Sequence, residues 1–340
     1  SLHEEGIAVI LDVVYNHVSQ YDFHPFKHLN KKEYFRQDSK GNYSSISGCG
    51  NDLKTENQYI RKLIIESVKF WMTEYHIDGF RFDLGKLIDW ETANTHVLTH
   101  ALHYGSAVFE GIRAYSTNDG TKIFRLDDHI KRLFDSAKIY RMNIAYTPQE
   151  LSQACKDIIV TNELNSGAYI RPLAFRGYND LGLHASKDDD VEVIVAAWEW
   201  GAYYGDAKMK GAKLDIAKWR RPDPLTAPSQ AKAAGLYMIA TMSKHTAEAK
   251  GCSDAMMFDY RGYIAEATGA NIFFVKDGEV HTPVADAFLN GLTRQTVIKM
   301  LIEKGISVVE RHIMPEELEN FEQCWLTGTA AEITPVGQIG

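Results

Sequence analysis

The chain has 340 residues, 45% of them hydrophobic and 24% charged, which is ordinary for a globular protein with room for two domains. Its net charge of −8 argues against nucleic acid as the main partner, and no apolar run approaches the roughly 18 residues of a membrane span. Four scattered cysteines without a CxxC pair favour free thiols over disulfides or a metal site. We therefore expect a cytoplasmic enzyme.

The first quarter of the chain predicts a strand–helix–strand unit. An apolar run that begins at Gly6 ends in polar residues up to His17, as in a buried parallel strand. Apolar residues then recur at helical spacing over 57–75, and a second strand is predicted over 77–83. Parallel strands of this kind carry polar groups at their carboxyl ends, where barrels and doubly wound enzymes keep their sites.

Both strands carry phrases that resemble signature regions of the α-amylase family of glycoside hydrolases, near its pullulanase and isoamylase branch. The first phrase is DVVYNH and the second is GFRFD. The resemblance implies a partial (β/α)8-barrel fragment over 1–90. It also implies four vestigial site residues. Asp83 would be the nucleophile, and Asp12, His17 and Arg81 would support it.

Glycosidase activity is not expected from this fragment. A retaining glycosidase needs a second carboxylic acid about 5 Å from its nucleophile, and the chain after Asp83 shows no counterpart of the family's acid. A quarter of a barrel would also leave strand edges unpaired. An enzyme acting on α-glucans remains the alternative hypothesis from the hydrolase class.

From about residue 90 the pattern predicts strands and helices mixed in two lobes. Helices are expected over 127–140, 148–164 and 293–303. Strands are expected over 168–175, 191–198, 254–259, 271–275, 306–310 and 324–327, with a hairpin turn at 276–279. The resulting domains are a small domain over 91–205, an interdomain loop over 206–222 and a large domain over 223–340.

One lysine, Lys232, stands among small residues just before an amphipathic run that begins at Leu236. Alanine and glycine neighbours leave room for a flat ring beside it. Burial would lower the pKa of this amine and free it for Schiff-base chemistry with an aldehyde cofactor. Most lysines are solvated surface charges, so this stretch by itself favours an ordinary surface lysine over a catalytic one.

Several phrases around this lysine together resemble the branched-chain amino acid aminotransferases, which are class IV pyridoxal phosphate enzymes with the D-amino acid aminotransferase-like fold. They are HYGSAVFEGIR, the arginine of RLFDSAK, SQAKAAGLY, YIAEATGAN, NGLTR and GTAAE. The resemblance runs from near Trp90 to Gly340. It implies an α/β and α+β two-domain enzyme of fold type IV that exchanges amino groups between leucine, isoleucine or valine and 2-oxoglutarate.

The resemblance also implies how pyridoxal 5′-phosphate is held. Lys232 is the catalytic residue, which bonds to the cofactor and moves a proton between the amino acid Cα and the cofactor's C4′. Glu266 pairs with the pyridine nitrogen, and Tyr237 hydrogen-bonds the ring's phenolic oxygen. The residues implied at the phosphate are Arg132, Leu292, Thr293 and Thr329.

Substrate contacts follow from the same resemblance. Tyr169 and the amides at Thr329 and Ala330 match the α-carboxylate contacts, and Arg171 matches the group that reads glutamate's distal carboxylate. An aromatic pocket holds the apolar side chain, although aromatic stripes are more often core than pocket. Its implied members are Phe109, Tyr203, Tyr237 and, from the other subunit of a homodimer or higher homo-oligomer, Tyr104.

Two departures from the family pattern favour an alternative, an inactive chimera. The amylase-like sequence stands where the family begins with a strand pair, and the family continues past Gly340 with a strand and a helix. We therefore expect a C-terminally truncated large domain with exposed apolar surface.

Overall fold

A computed structural model describes residues 3, 8–18, 24–37, 40–43, 51–55, 57–82, 95–178, 182–183, 191–201 and 210–340. The chain forms two compact units, Ser1–Thr95 and His96–Gly340, and each is described by itself. In the described part of the chain, no helix is long and apolar enough to cross a membrane.

The first unit contains the predicted strand–helix–strand arrangement. Its elements are β1 (Ile10–Val13), β2 (His17–Val18), α1 (Pro25–Tyr34), β3 (Asn51–Asp52), α2 (Gln58–Tyr75) and β4 (Gly79–Phe82). Strands β1 and β4 pair in parallel, with Asp12 opposite Arg81. The side chain of Asn57 caps α2 by accepting a hydrogen bond of 2.8 Å from the Tyr59 N–H. A small core of Phe35, Leu53 and Ile60 holds α1 and α2 together.

The second unit begins with a short helix and a five-stranded antiparallel sheet. The elements are α3 (His100–Tyr104), β5 (Ala107–Phe109), β6 (Ile112–Thr117), β7 (Gly120–Ile123), α4 (Leu126–Ile139), α5 (Pro148–Thr161), β8 (Ala168–Arg176) and β9 (Val191–Glu199). Strand β8 is central: β9 pairs along one edge, while β5 and β6 share the other. Helices α4 and α5 pack with this sheet through one apolar core, which includes Ile130, Leu133 and Ile170.

The two helices start differently. Thr147 and Glu150 form a reciprocal capping box at the start of α5, where the proline at the first position has no N–H to satisfy. Helix α4 begins one residue earlier than predicted, after Arg125, so Asp127 lies in its first turn and is not its cap. Acidic residues in a first turn still complement the helix dipole.

The larger sheet of the second unit has eight strands. They are β10 (Ala212–Ile216), β11 (Asp254–Phe258), β12 (Ile264–Ala267), β13 (Asn271–Lys276), β14 (Glu279–Pro283), β15 (Val308–Arg311), β16 (Gln323–Gly328) and β17 (Glu332–Ile339), in the order β12-β11-β10-β17-β16-β13-β14-β15. The interdomain-loop prediction for 206–222 is therefore wrong over β10, which lies inside the sheet between β11 and β17. Ala212 and Leu214, two residues apart on one face of β10, are fully buried there. A single such pair is too short a pattern to predict a strand from the sequence.

Two helices position functional groups on this sheet. A 3₁₀ turn at Ala234–Tyr237 leads into α6 (Met238–Ala249), and α7 (Leu292–Glu303) follows Gly291. Val297 of α7 packs on Phe273 and Val280 of the sheet, and Trp325 stacks on Phe273. The predicted helix over 293–303 is confirmed with a start one residue earlier.

Candidate active site

A cavity of about 550 Å³ in the second unit is lined by residues of both sheets. Such a volume is in the usual range for a small-molecule site. Eleven of the residues singled out by sequence line it: Phe109, Arg132, Tyr169, Arg171, Lys232, Tyr237, Glu266, Leu292, Thr293, Thr329 and Ala330.

The remaining predicted residues are placed elsewhere or not described. Tyr104 is half exposed and packs its ring 4.6 Å from that of His100, away from the cavity wall of its own chain. Tyr203 and Asp83 lie outside the described residues. In the first unit, the ring Nδ1 of His17 is 2.9 Å from Asn16 Oδ1.

The backbone around Lys232 is fixed by the smaller sheet and its helix. The Phe109 N–H of β5 donates to the Lys232 carbonyl at 3.0 Å, and the Lys232 N–H donates to Ser136 Oγ of α4 at 3.0 Å. The flanking residues Ala231 and Ala233 are buried, so larger side chains do not fit there. The lysine itself lines the cavity. There its Nζ donates to the Tyr237 hydroxyl at 2.7 Å.

A buried carboxylate, Glu266 of β12, lies at another part of the cavity wall. Burial raises the pKa of this carboxyl to about 7, although the nearby cations of Arg221, Lys232 and Arg294 oppose that shift. Arg221 forms an ion pair of 2.9 Å with Glu266, and Asn271 donates to the other oxygen at 3.0 Å. A cation in the cavity beside Glu266 would offset the desolvation of its charge.

Arg221 and Asn271 contact Glu266 at the cavity wall, and neither was predicted from the sequence as a site residue. Arg221 lies in the stretch predicted as an interdomain loop, where its Nη2 also donates to the Thr268 carbonyl at 3.0 Å. A charged residue followed by three nearby prolines is typical of a solvated loop, yet Arg221 is buried. Asn271 is the first residue of β13, and its register opposite Glu266 appears only in the folded sheet.

Arg132 on α4 is held by a fully buried carboxylate, Glu110. The guanidinium donates to both Glu110 oxygens, at 2.6 and 2.9 Å, and His129 Nδ1 lies 2.6 Å from the same carboxylate. Burial by itself would raise the pKa of Glu110, but Arg132 and the hydrogen bond with His129 outweigh it and lower the pKa to about 2. Burial lowers the pKa of His129, and its contact with Glu110 opposes that shift.

The start of α7 offers backbone N–H groups to the same cavity. Gly291 at the N-cap has no side chain to accept from them, and Leu292 and Thr293 follow as the first helical residues. The Gly291 N–H donates to Asn271 Oδ1 at 3.1 Å, and a Cβ at this position would collide with that oxygen. The β16–β17 turn adds Thr329 and Ala330 to this part of the wall.

An aromatic wall faces these groups. The Arg171 guanidinium lies 4.5 Å above the Phe109 ring, and its Nη2 donates to the Tyr169 hydroxyl at 3.0 Å. Tyr169 packs on Trp198 and Trp200, with ring centroids 5.1 and 5.0 Å away. The arginine and the aromatic side chains thus share one surface that can meet either an apolar or an anionic group.

Charge in the cavity is mainly positive. Among the described lining residues, the charged side chains are one carboxylate, Glu266, and five cations: Arg132, Arg171, Arg221, Lys232 and Lys244. The arrangement can bind an anion at the α7 start and a protonated ring or amine beside Glu266, and the same cavity contains a lysine amine. Within the described residues, no group of three or more His, Cys, Asp or Glu side chains could hold a metal ion.

Comparisons with known proteins agree with this geometry. Residues 107–339 match the family described as amino-transferase class IV. The branched-chain-amino-acid aminotransferase of Pseudomonas aeruginosa is 44% identical over 263 residues, which are 77% of this chain and 85% of that protein.

Solved structures give the same result. The crystal structure of the Escherichia coli branched-chain amino acid aminotransferase superposes with a TM-score of 0.73 at 41% identity, over 75% of this chain and 84% of that one. The "T.th." branched-chain amino acid aminotransferase in complex with N-(5′-phosphopyridoxyl)-L-glutamate gives a TM-score of 0.71 at 42% identity, over 75% and 83%.

Proposed function

The chain belongs to the class IV aminotransferase family, and from this premise we propose that it transfers the amino group of leucine, isoleucine or valine to 2-oxoglutarate with pyridoxal 5′-phosphate. The observation that carries the proposal is the Lys232 amine, 2.7 Å from the Tyr237 hydroxyl in a cavity with an anion-binding part and a buried carboxylate. The fold and the relatives' names support the same reaction.

The residues present fit this cofactor. A phosphate dianion suits the cationic wall at Arg132 and the uncapped start of α7. A protonated pyridine suits Glu266, whose raised pKa shows that its charge lacks full compensation within the described residues. The hydroxyl of Thr327 is buried at the cavity wall with no hydrogen-bond partner among the described residues, so a polar ligand atom would satisfy it.

The chemistry can then be assigned to side chains of this chain. When bound, the cofactor accepts the electron pair that remains on the substrate Cα when its proton leaves. Lys232 takes that proton on its Nζ and returns it at the cofactor's C4′, with the Tyr237 hydroxyl as the hydrogen-bond partner that directs the amine. Glu266 holds a proton at the ring nitrogen, and Asn271 fixes the orientation of its carboxylate.

The two substrates need one site that tolerates both an apolar tail and a carboxylate. Tyr169 and the backbone at Thr329 and Ala330 bind the α-carboxylate that both share. Arg171 lies over Phe109, so its cation is available to the distal carboxylate of glutamate or 2-oxoglutarate. The rings of Phe109 and Tyr237, whose centroids are 4.9 Å apart, then form an aromatic surface for a branched aliphatic side chain. Such alternation between two substrates is a ping-pong route.

A second copy of the chain completes the site in this proposal. The half-exposed Tyr104 would enter the pocket of the partner in a homodimer or larger assembly. We also propose a reducing, cytoplasmic location, which the free thiols of Cys155, Cys252 and Cys324 support.

The first unit has no part in this reaction in our proposal. Strands β1 and β4 pair in parallel, with Asp12 opposite Arg81, as two neighbouring strands of a barrel fragment would. We propose a barrel-derived fragment without glycosidase activity, because the sequence after Asp83 shows no counterpart of the family's general acid.

The test of the substrate assignment is steady-state kinetics with leucine and 2-oxoglutarate. Arg171→Leu should raise the KM for 2-oxoglutarate by about tenfold or more and change the KM for leucine much less, because the lost guanidinium serves only the distal carboxylate. Arg141→Leu, which changes an exposed arginine, is the matched control. A wild-type enzyme that forms no glutamate would contradict the proposal. Equal changes in the KM for leucine and for 2-oxoglutarate in Arg171→Leu would also contradict it.

A further inference from the structure

Arg125 connects the two sheets of the second unit at one side of the cavity. It precedes α4, which packs in the core of the smaller sheet, and its guanidinium reaches the first turn of α7 on the larger sheet. Its Nη1 donates to the Leu292 carbonyl at 2.8 Å and to Thr296 Oγ1 at 3.1 Å, and its Nη2 donates to Gln295 Oε1 at 3.3 Å.

The backbone of Arg125 is in a conformation that side chains rarely adopt. Its φ is 50° and its ψ is 40°, in the left-handed region. A residue other than glycine holds this conformation only when surrounding contacts compensate for it. The contacts here are the three donated hydrogen bonds to α7 and an ion pair of 2.6 Å with Asp128, which fixes the Nε side of the guanidinium.

Arg132 lies seven residues farther along α4, two helical turns and about 10 Å away on the same face. Its Nη1 is 3.5 Å from the Asn290 carbonyl, just before α7 starts. Helix α4 is thus joined to the start of α7 at two points. The spacing between the Arg132 guanidinium and the N–H groups of Leu292 and Thr293 depends on both.

We propose that Arg125 is a positioning residue that fixes the start of α7 against α4 and thereby sets the shape of the phosphate-binding site. This inference rests on the proposed function, because it takes the anion at this place to be the cofactor's phosphate. Arg125 reaches Leu292 from the carbonyl side, so the Leu292 N–H remains available to the anion. The positive charge of Arg125 also adds to the potential at the positive end of the α7 dipole, which favours an anion there.

The experiment compares two ligands that differ only in the phosphate, pyridoxal 5′-phosphate and pyridoxal. Quenching of tryptophan fluorescence reports binding of each, since Trp200 lines the cavity. Arg125→Gln should weaken binding of pyridoxal 5′-phosphate by about tenfold and leave the affinity for pyridoxal unchanged. Arg125→Lys keeps the charge but not the planar fork, so it should show a smaller loss in the same ligand alone.

Arg141→Gln is the control, because Arg141 also has a positive φ, 53°, at the other end of α4. If Arg125→Gln does not fold, the same comparison of the two ligands in Arg125→Lys tests the proposal. Equal loss of both ligands, or no loss of either, overturns the positioning role while leaving the proposed function intact. A wild-type protein that binds pyridoxal as tightly as its phosphate ester overturns the proposed phosphate site, and this inference with it.

Discussion

The Nζ of Lys232 and the hydroxyl of Tyr237 lie 2.7 Å apart at the two ends of a tight turn. The 3₁₀ turn at Ala234–Tyr237 separates them along the chain, and both side chains line the same cavity. The Phe109 ring centroid lies 4.9 Å from Nζ. Among the described residues, the Tyr237 hydroxyl is the hydrogen-bond partner of the amine, so it directs where the amine points.

Removal of that hydroxyl should slow the reaction without unfolding the protein. We expect Tyr237→Phe to lower kcat by about tenfold, because a lost hydrogen bond is worth up to about 1.5 kcal/mol and 1.4 kcal/mol is about a tenfold change in rate. The ring keeps its contact with Phe109, so thermal stability should stay near that of the wild type. Tyr146→Phe, which changes an exposed tyrosine, is the control. An unchanged kcat would show that the hydroxyl does not direct the amine.

Because the pKa of Glu266 is raised, the free energy of unfolding of the cofactor-free protein should fall as the pH rises. Below a pH of about 4.5 both the native and the unfolded carboxyl are protonated. As the pH rises to about 7, the unfolded state releases its proton first, so the free energy of unfolding should fall, by on the order of 3 kcal/mol. Urea denaturation across this interval measures the slope.

Glu266→Gln should flatten that slope, because an amide does not titrate. The exposed Glu163→Gln variant should keep the wild-type slope. The contrary result would be a wild-type free energy of unfolding that rises over this interval and a rise that Glu266→Gln removes. It would mean that the charge of Arg221 outweighs the desolvation of the Glu266 carboxylate.

Gly111 should be intolerant of even one added methyl group. A Cβ there would overlap the Tyr169 hydroxyl and lie 2.7 Å from its Cζ. We expect Gly111→Ala to displace the tyrosine and raise the KM for leucine by about tenfold or more, since small misplacements of substrate-binding groups are costly. Cofactor affinity, measured by fluorescence, should change little. If the KM stays at its wild-type value, Tyr169 does not bind the substrate.

Loss of the Glu110 carboxylate should destabilise the fold. It would leave the mostly buried Arg132 cation without its bidentate partner and His129 without its acceptor. We expect Glu110→Ala to lower the free energy of unfolding by about 3–5 kcal/mol. Glu110→Gln, which keeps the shape but not the charge, should lose less. Denaturant titrations that find both variants as stable as the wild type would contradict the role assigned to this carboxylate.

Local sequence was enough to single out several residues that line the cavity. Lys232 stands in a phrase of small residues, and Leu292 and Thr293 follow a glycine at a predicted helix start. Their surroundings are set by neighbours in sequence, so the structure brings them into the cavity wall as the phrases indicated. Their individual roles remain predictions. The hairpin at 276–279 was equally local and is confirmed by the pairing of β13 with β14.

The groups that hold the reactive ones depend on distant pairings. Arg221 meets Glu266 only because the chain after β10 runs beside β11, where an isolated bridge joins Arg221 to Asp259. Glu110 meets Arg132 across a strand and a helix. Strands β12 and β17 were also missed: β12 was interpreted as a site phrase, and the pairing of both strands is set by the sheet. Periodicity does not reveal such contacts.

The most direct test of the central claim is the visible absorbance of the purified chain mixed with pyridoxal 5′-phosphate, before and after leucine is added. Our account predicts a visible band that bleaches with leucine, returns with 2-oxoglutarate and is absent in Lys232→Ala. A wild-type protein that shows no such band, or a Lys232→Ala variant that keeps a band sensitive to leucine, would contradict it.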